Sequence, residues 1–303
     1  MPQRIYPGNW FSIGMFAGPS PIELSPAPGA TNPVLTYQDV TDAPAIFVAD
    51  PFIVYSGGRW YMLFEVMNDA GYKGEISFAT SANRVQWEYE GIVLTEPFSL
   101  SYPYVFDWQG DYYMLPEMYQ QNCLRLYKAE SFPRAWRPVA TFLEGGPIAD
   151  ASIFSWQGHW YILACSNPAG NDTLRLFCAS CPLGPWREHP RSPVVTGDPC
   201  AARPGGRVVE WNGGLIRYAQ VCVPRYGTGL RAFRITRLTP EEYSEEAVDA
   251  PPIARPGSDA WNSRAIHHVD PCLLPDGTWL AVADGHDHPS YPELAAVAPT
   301  GTA

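Results

Sequence analysis

An all-β, five-bladed β-propeller is the fold this sequence predicts. Three observations point to it: a glycine–aromatic motif recurring about every 50 residues, a second motif about ten residues ahead of it, and a composition of short strands and turns. The first motif reads Gly58-Arg-Trp-Tyr61, Gly110-Asp-Tyr-Tyr113 and Gly158-His-Trp-Tyr161, with looser copies at Gly213-Gly-Leu-Ile216 and Gly277-Thr-Trp-Leu280. The second reads Ala49-Asp-Pro-Phe52, Ser101-Tyr-Pro-Tyr104 and Ala149-Asp-Ala-Ser152. Its fourth copy, Ala202-Arg-Pro-Gly205, lies twelve residues before Leu215, and its fifth, Val269-Asp-Pro-Cys272, lies nine before Trp279. Pro (32) and Gly (26) are too frequent for long helices and suit turns between short strands.

Each unit leads with the second motif as its inner strand. The apolar runs Trp60–Phe64, Tyr112–Leu115 and Trp160–Leu163 follow as second strands. Third strands follow at Glu75–Ala79, Leu124–Ala129, Leu174–Ala179 and Leu230–Arg234, and Trp87, Trp136 and Trp186 close three units. The blades are placed at 45–95, 96–143, 144–195, 196–245 and 260–288. A blade has two apolar faces that it cannot cover alone, so all five form one domain. The last unit runs out of strand-like sequence after Asp284. The N-terminal stretch 8–40, with its run Trp10–Phe16, is expected to complete that blade and close the ring. Val248–Ser258 reads as a loop, and the tail from Pro289 has few anchors.

The chain has 303 residues, 46% hydrophobic and 17% charged, which gives it a core and argues against disorder. A net charge of −11 repels phosphate backbones and anionic lipid, so nucleic-acid partners are not expected. No apolar run is long enough to insert in a membrane, and Met1–Trp10 lacks a signal-peptide segment. Seven irregularly spaced cysteines read as free thiols in a reducing cytoplasm, with Cys178 and Cys181 as core thiols despite their C-x-x-C spacing. The sequence leaves the oligomeric state open.

Alignment of the units brings polar residues into register. The inner-strand position holds Asp50, Tyr102, Asp150, Arg203 and Asp270, expected at one mouth of the axial channel. A second aligned set, five residues past the aromatic, is Glu65, Glu117, Cys165, Gln220 and Asp284. Acids are costly to bury unpaired, so this set reads as a pocket. Glu75 and Glu88 read as solvated edge acids, and His159 and His189 as surface residues. In His267-His-Val-Asp270, strand alternation would place His268 and Asp270 on one face and His267 on the other. His268 with Asp270 is therefore a candidate acid/base pair, or a ligand pair for a hydrated cation such as Ca²⁺. No cofactor is required by the acid/base reading.

Val48–Phe52, Leu100–Phe106, Tyr113-Met-Leu-Pro-Glu117, Leu126–Ala129, Ala202–Gly206 and His267–Asp270 together resemble one family. It is the N-terminal domain of glucosamine inositolphosphorylceramide transferases, which also occurs as bacterial stand-alone proteins. That domain is similar to the five-bladed propellers of glycoside hydrolase families 43, 32 and 68. The resemblance implies an axial site using an Asp from blade one, an Asp from blade three and a Glu acid from blade four. Asp50 and Asp150 match the first two. Blade four carries Arg203 in place of the acid, which suits a substrate with a carboxylate, phosphate or sulfate.

The expectation is a carbohydrate-active enzyme of glycoside-hydrolase type acting on a sugar or a sugar-containing small molecule. Asp50 is the candidate base or nucleophile, Asp150 its electrostatic partner and Glu117 the acid. Glu65, Tyr102, Arg203, Gln220, His267, His268 and Asp270 are candidate substrate contacts. Two alternatives stand beside it: a non-hydrolytic biosynthetic step on a glycoside, polysaccharide precursor or natural product, and a non-catalytic glycan-binding module.

Overall fold

Residues 10–254, 257 and 260–287 are described by the computed structural model. The expectations for the segment ahead of Trp10 and for the tail from Pro289 lie outside them.

Five antiparallel sheets are arranged as a β-propeller. Strands are numbered along the chain. Blade one is β3 (Ala45–Ser56), β4 (Arg59–Asn68), β5 (Lys73–Ser81) and β6 (Glu88–Leu94). Blade two is β7 (Ser101–Trp108), β8 (Asp111–Glu117), β9 (Leu124–Ser131) and β10 (Ala135–Phe142). Blade three is β11 (Ala149–Trp156), β12 (His159–Cys165), β13 (Thr173–Ala179) and two short edge pieces, β14 (Arg187–Glu188) and β15 (Val195–Thr196). Blade four is β16 (Val209–Trp211), β17 (Gly214–Val221), β18 (Gly229–Leu238) and β19 (Tyr243–Ala247). Blade five takes β20 (Val269–Leu273) and β21 (Trp279–Gly285) from one end of the chain, and β1 (Ser12–Ser20) and β2 (Glu23–Pro26) from the other.

The ring is thus closed as expected, by two N-terminal strands. Ser12 pairs with Gly285 and Gly18 with Trp279, so β1 covers the whole of β21. The repeated glycine–aromatic motif is the turn between first and second strands, and Gly58, Gly110, Gly158, Gly213 and Gly277 all adopt positive φ there. Second strands carry a buried apolar run in every blade. Met62, Leu63, Met114, Leu115, Ile162, Ile216 and Val282 have no exposed surface, and each such side chain contributes about 1.5–3 kcal/mol through burial. Phe52, Leu115 and Ile153, from blades one, two and three, share one continuous cluster, which is why the blades act as one domain.

The inner strands differ in a way that decides the site. In blades one to three the pairing breaks between Ala49 and Phe52, between Ser101 and Tyr104, and between Ala149 and Ser152. Two residues then face one across the ladder, a β-bulge. Its first residue is left-handed in each case: Asp50 (φ 53°), Tyr102 (φ 46°) and Asp150 (φ 50°). Non-glycine residues pay about 1–3 kcal/mol for such backbone, and it concentrates at functional sites. The inner strand of blade five has no bulge. Val269 pairs with Ala283 and Asp270 with Val282 in unbroken register. Asp270 therefore falls opposite the counterpart of Leu63, the level of Phe52, one step past Asp50. Blade four also departs from expectation: Ala202–Gly205 is no regular strand and pairs with β17 at a single Pro204–Ala219 bridge.

Three smaller expectations are corrected. Glu75 is buried, its carboxylate accepting from Asn68 and Thr95 and facing Lys73 at 3.3 Å. His189 is buried, with Nε2 2.8 Å from the Thr239 carbonyl and Nδ1 accepting from the Arg191 N–H. The seven cysteines, expected as buried free thiols, are free, but only Cys123, Cys165 and Cys178 are buried; Cys181, Cys200, Cys222 and Cys272 are half-buried. Among the described residues no helix is long and apolar enough to cross a membrane.

Candidate axial site

A left-handed residue turns its amide off the ladder, and that N–H needs an acceptor. The second-strand acids supply it across the blade seam. Asp284 of blade five accepts from the Asp50 N–H of blade one at 3.0 Å. Glu117 of blade two accepts from the Asp150 N–H of blade three, also at 3.0 Å. The two aligned sets of polar residues therefore meet at one end of the channel. The acids there are nearly covered: Asp50 is 5% exposed, Asp150 2% and Glu117 7%.

Arg203 organises one half of this end. Its Nε donates to Asp150 Oδ2 at 2.6 Å, one terminal nitrogen to Asn171 Oδ1 at 2.9 Å, and the other to Glu117 Oε2 at 3.4 Å. The guanidinium lies under the Tyr226 ring, 4.9 Å from its centre. Each of its three nitrogens donates one bond inside the protein, and each terminal nitrogen keeps a second N–H. Gln220 Nε2 donates to Asp150 at 2.6 Å and to the Pro204 carbonyl at 2.8 Å, fixing Asp150 from below. Burial would raise the Asp150 carboxyl, but Arg203, together with the bond to Glu117, outweighs it and holds the carboxyl below its ordinary value. Burial first, and Asp150 second, hold Glu117 well above the usual range. Glu117 Oε2 accepts from the Asp150 N–H and from Arg203, and the Glu117 carboxyl also shares a side-chain hydrogen bond with Asp150.

The other half is Asp50 with two histidines. His267 Nδ1 is 2.8 Å from Asp284 Oδ1, and its Nε2 is 3.4 Å from Asp50 Oδ1. Burial would lower His267, yet Asp284 and then Asp50 outweigh it and raise its pKa. His268 Nε2 lies 2.9 Å from the Pro51 carbonyl, which can only accept, so Nε2 carries the hydrogen. Burial lowers His268 to about 4, so it is neutral and its Nδ1 is a bare acceptor. That Nδ1 has no hydrogen-bond partner and stands 3.7 Å from Asp50 Oδ1. Burial pushes Asp50 up to about 7; His267 opposes the rise, and Asp284 and Asp150 add to it. Glu65 is held well above its ordinary value by burial and then by Asp50. Its Oε1 occupies space that a side chain at position 74 would fill, since a Cβ on Gly74 would come within 2.6 Å of it.

Two expected site residues stand elsewhere. Tyr102 is fully buried and its hydroxyl is saturated: it accepts from the Gly206 N–H at 2.8 Å and lies 3.0 Å from the Gly206 carbonyl and 2.9 Å from Ser152 Oγ. It ties blade two to the start of blade four and offers a ligand no polar atom. Asp270 pairs with Arg207, at 2.6 and 3.4 Å, and accepts from the Ile53 N–H at 2.6 Å. Arg207 also packs over Tyr104 at 4.9 Å and Phe52 at 5.5 Å, so this layer plugs the channel. The His268–Asp270 ligand pair is thereby withdrawn: Arg207 already holds the carboxylate. The histidines precede β20, so strand alternation does not sort them, and both reach Asp50.

Asp50, His267 and Asp284 each place a donor atom within 4.8 Å of the others. Two carboxylates and an imidazole fall short of the six to eight oxygens that Ca²⁺ takes. His267 and Asp284 also satisfy each other, so the set fits a proton-sharing group better than a Ca²⁺ site. Sequence reasoning missed Asp284 as a site residue although it stood in the aligned set. It also missed Asn171, Arg207 and Tyr226, which lie outside the repeat and left no periodic signal.

With this geometry in place, the comparisons are specific. Residues 6–286 match the family model "Glucosamine inositolphosphorylceramide transferase 1, N-terminal". The chain belongs to this family. It is 36% identical over 304 residues to glucosamine inositolphosphorylceramide transferase 1 of Oryza sativa subsp. japonica, and 34% identical over 301 residues to that of Arabidopsis thaliana. The matches take in 93% and 92% of this chain but only 41% and 39% of the plant proteins. Among solved structures, a putative glycoside hydrolase from Parabacteroides distasonis superposes with a TM-score of 0.62 at 11% identity, covering 86% of this chain and 95% of that one. A putative glycosidase from Bacteroides thetaiotaomicron gives 0.62 at 13% identity, with the same coverage. At such identities the likeness is one of fold.

Proposed function

We propose that this family member is carbohydrate-active and that the axial site performs acid/base chemistry on a glycoside. The observation that carries the reading is the splitting of proton affinities among three carboxyls at one channel mouth. Arg203 outweighs burial to hold Asp150 below its ordinary value, burial and Asp150 hold Glu117 well above its own, and burial lifts Asp50 to about 7. Environments that push neighbouring carboxyls apart are how acid and base roles are divided. Glu117 would protonate the leaving oxygen, and Asp50 would take a proton from the attacking hydroxyl. Asp150 would supply fixed negative charge beside the developing oxocarbenium ion. Glu117 from blade two thus takes the role for which blade four, with Arg203, has no acid. The glycoside hydrolases among the fold relatives support the substrate class.

A second reading, a glycan-binding module without turnover, is favoured by the near-complete cover over the acids and by Tyr226 lying across Arg203. Aryl glycosides and defined oligosaccharides, assayed with the native chain, Asp50→Asn and Glu117→Gln, separate the two. In the acid/base reading each variant loses roughly 10²–10⁴ in turnover while still binding. Binding by all three proteins with turnover by none supports the module instead.

A further inference from the structure

Blades four and five flank an open pocket of about 210 Å³ apart from the acid cluster. None of Asp50, Glu117, Asp150 or Arg203 lines it. It is nevertheless one residue away along two segments. Val221 lines the cavity while Gln220 binds Asp150, and Ile266 lines it while His267 binds Asp284. One wall is apolar, made by the buried side chains of Leu230, Ile253 and Ile266.

Two polar side chains line the same space. Asn262 is only 5% exposed, and among the described residues its amide makes no hydrogen bond. Arg264 is exposed, and among the described residues no carboxylate pairs with it. The amide is not sealed from water but opens on this space, where a ligand hydroxyl can replace the water that hydrates it. A free guanidinium recognises carboxylate and phosphate by paired hydrogen bonds. At about 30 Å³ per water the space equals about seven waters, which is room for one small ring and not for a chain.

We propose that this cavity is a binding site for a monosaccharide-sized anion, a uronate or a sugar phosphate. Arg264 holds the anionic group, and Asn262 bonds a ring hydroxyl. The C–H face of the ring lies on Leu230, Ile253 and Ile266. The site goes beyond the acid/base reading and does not depend on it.

Calorimetric titration of the full chain at low salt tests this, with glucuronate, glucose 1-phosphate and glucose as probes. At least one anion should bind, and glucose should bind at least about tenfold more weakly, since a charge-assisted pair is worth about that much. Preference between the two anions identifies carboxylate or phosphate as the natural group. Arg264→Ala, at an exposed position, should weaken the anion at least about tenfold, Asn262→Ala should weaken it less, and Asp50→Asn should leave it unchanged. No binding of either anion at about 10 mM, far weaker than a built site gives, overturns the proposal. So does equal binding by Arg264→Ala, or loss of binding in Asp50→Asn, which would move the ligand to the axis.

Discussion

His268 turns a bare Nδ1 toward Asp50, 3.7 Å from its Oδ1, with the histidine's only hydrogen committed to the Pro51 carbonyl. Two acceptors facing each other in a buried place are tolerated best when one carries a proton, and Asp50, at about 7, is the group that does so. The consequence reaches stability. Asp50, Glu65 and Glu117 all have folded pKa values raised by burial above their ordinary ones, so at these three groups the folded chain binds more protons than the unfolded chain above about pH 4, and His268, lowered to about 4, offsets only one of them. Stability then falls as pH climbs from about 4 through 7. His267, also raised, acts in the same direction: its contribution is present below its ordinary pKa and lost above the folded one. Asp150 and Asp284 are lowered, and their contribution disappears only in stronger acid. Thermal melts from pH 4 to 9 should therefore peak in mild acid, and Asp50→Asn should flatten the decline up to pH 7. A native profile rising toward pH 8 would refute this proton count.

The same group sets the direction of a rate profile. A base must be unprotonated to work, so kcat/KM should rise with pH through about 7, the Asp50 value. Glu117 must keep its proton, and its raised pKa postpones the alkaline fall. A profile already falling between pH 6 and 7 would reverse the two roles. Glu117→Gln should remove the alkaline limb and leave the acid one.

Much of this was legible in the repeat, and what was not has an identifiable cause. The turn glycines, apolar second strands and ring closure follow from local pattern, which repeats because each blade solves the same packing problem. Asp50, Asp150 and Glu117 surfaced because blades repeat their register. Asp270 was misplaced by a single residue: nine residues to Trp279 instead of ten to Trp60 means a missing bulge, and a missing bulge moves a side chain one layer along the channel. Arg203 was placed at the correct end, yet sequence could not show that Asp150, Glu117 and Asn171 already occupy it. Tyr226 and Asn171 come from loops, where no periodicity records who meets whom.

Tyr102 gives a test of structure against ligand binding at one position. Its hydroxyl serves both backbone groups of Gly206, whose positive φ (142°) brings it so close to blade five that a Cβ there would lie 1.8 Å from the Val269 carbonyl. Tyr102→Phe should lower stability by about 1–3 kcal/mol by orphaning the Gly206 N–H, while the Gly206 carbonyl keeps Ser152 Oγ. Ligand affinity, measured below the melting transition, should stay within about threefold of native, because no substrate contact is removed. A large affinity loss at native stability would restore Tyr102 to the site.

Arg203 is the cation on which the charge pattern of the site depends, and removing it should invert a slope as well as lower a number. In the native chain Asp150 has a lowered pKa, so its contribution is present above its ordinary value of 3.8 and lost as pH falls through the folded one. Arg203→Met leaves that carboxyl buried with Gln220 and the Asp150–Glu117 contact but no cation. Breaking a buried pair from one side typically destabilises by about 3–5 kcal/mol. The carboxyl then escapes by taking up a proton, so its folded pKa rises above the unfolded one. Its contribution now diminishes as pH rises. The deficit relative to native should accordingly be largest at pH 7–8 and smallest near pH 4–5. Asp150→Asn added to Arg203→Met should recover much of the loss at pH 7, because the buried charge is gone. Urea unfolding of the four proteins at pH 5 and pH 7.5 measures this. A deficit independent of pH, or a double variant no better than Arg203→Met, would mean that Arg203 acts through packing beneath Tyr226 and not through Asp150.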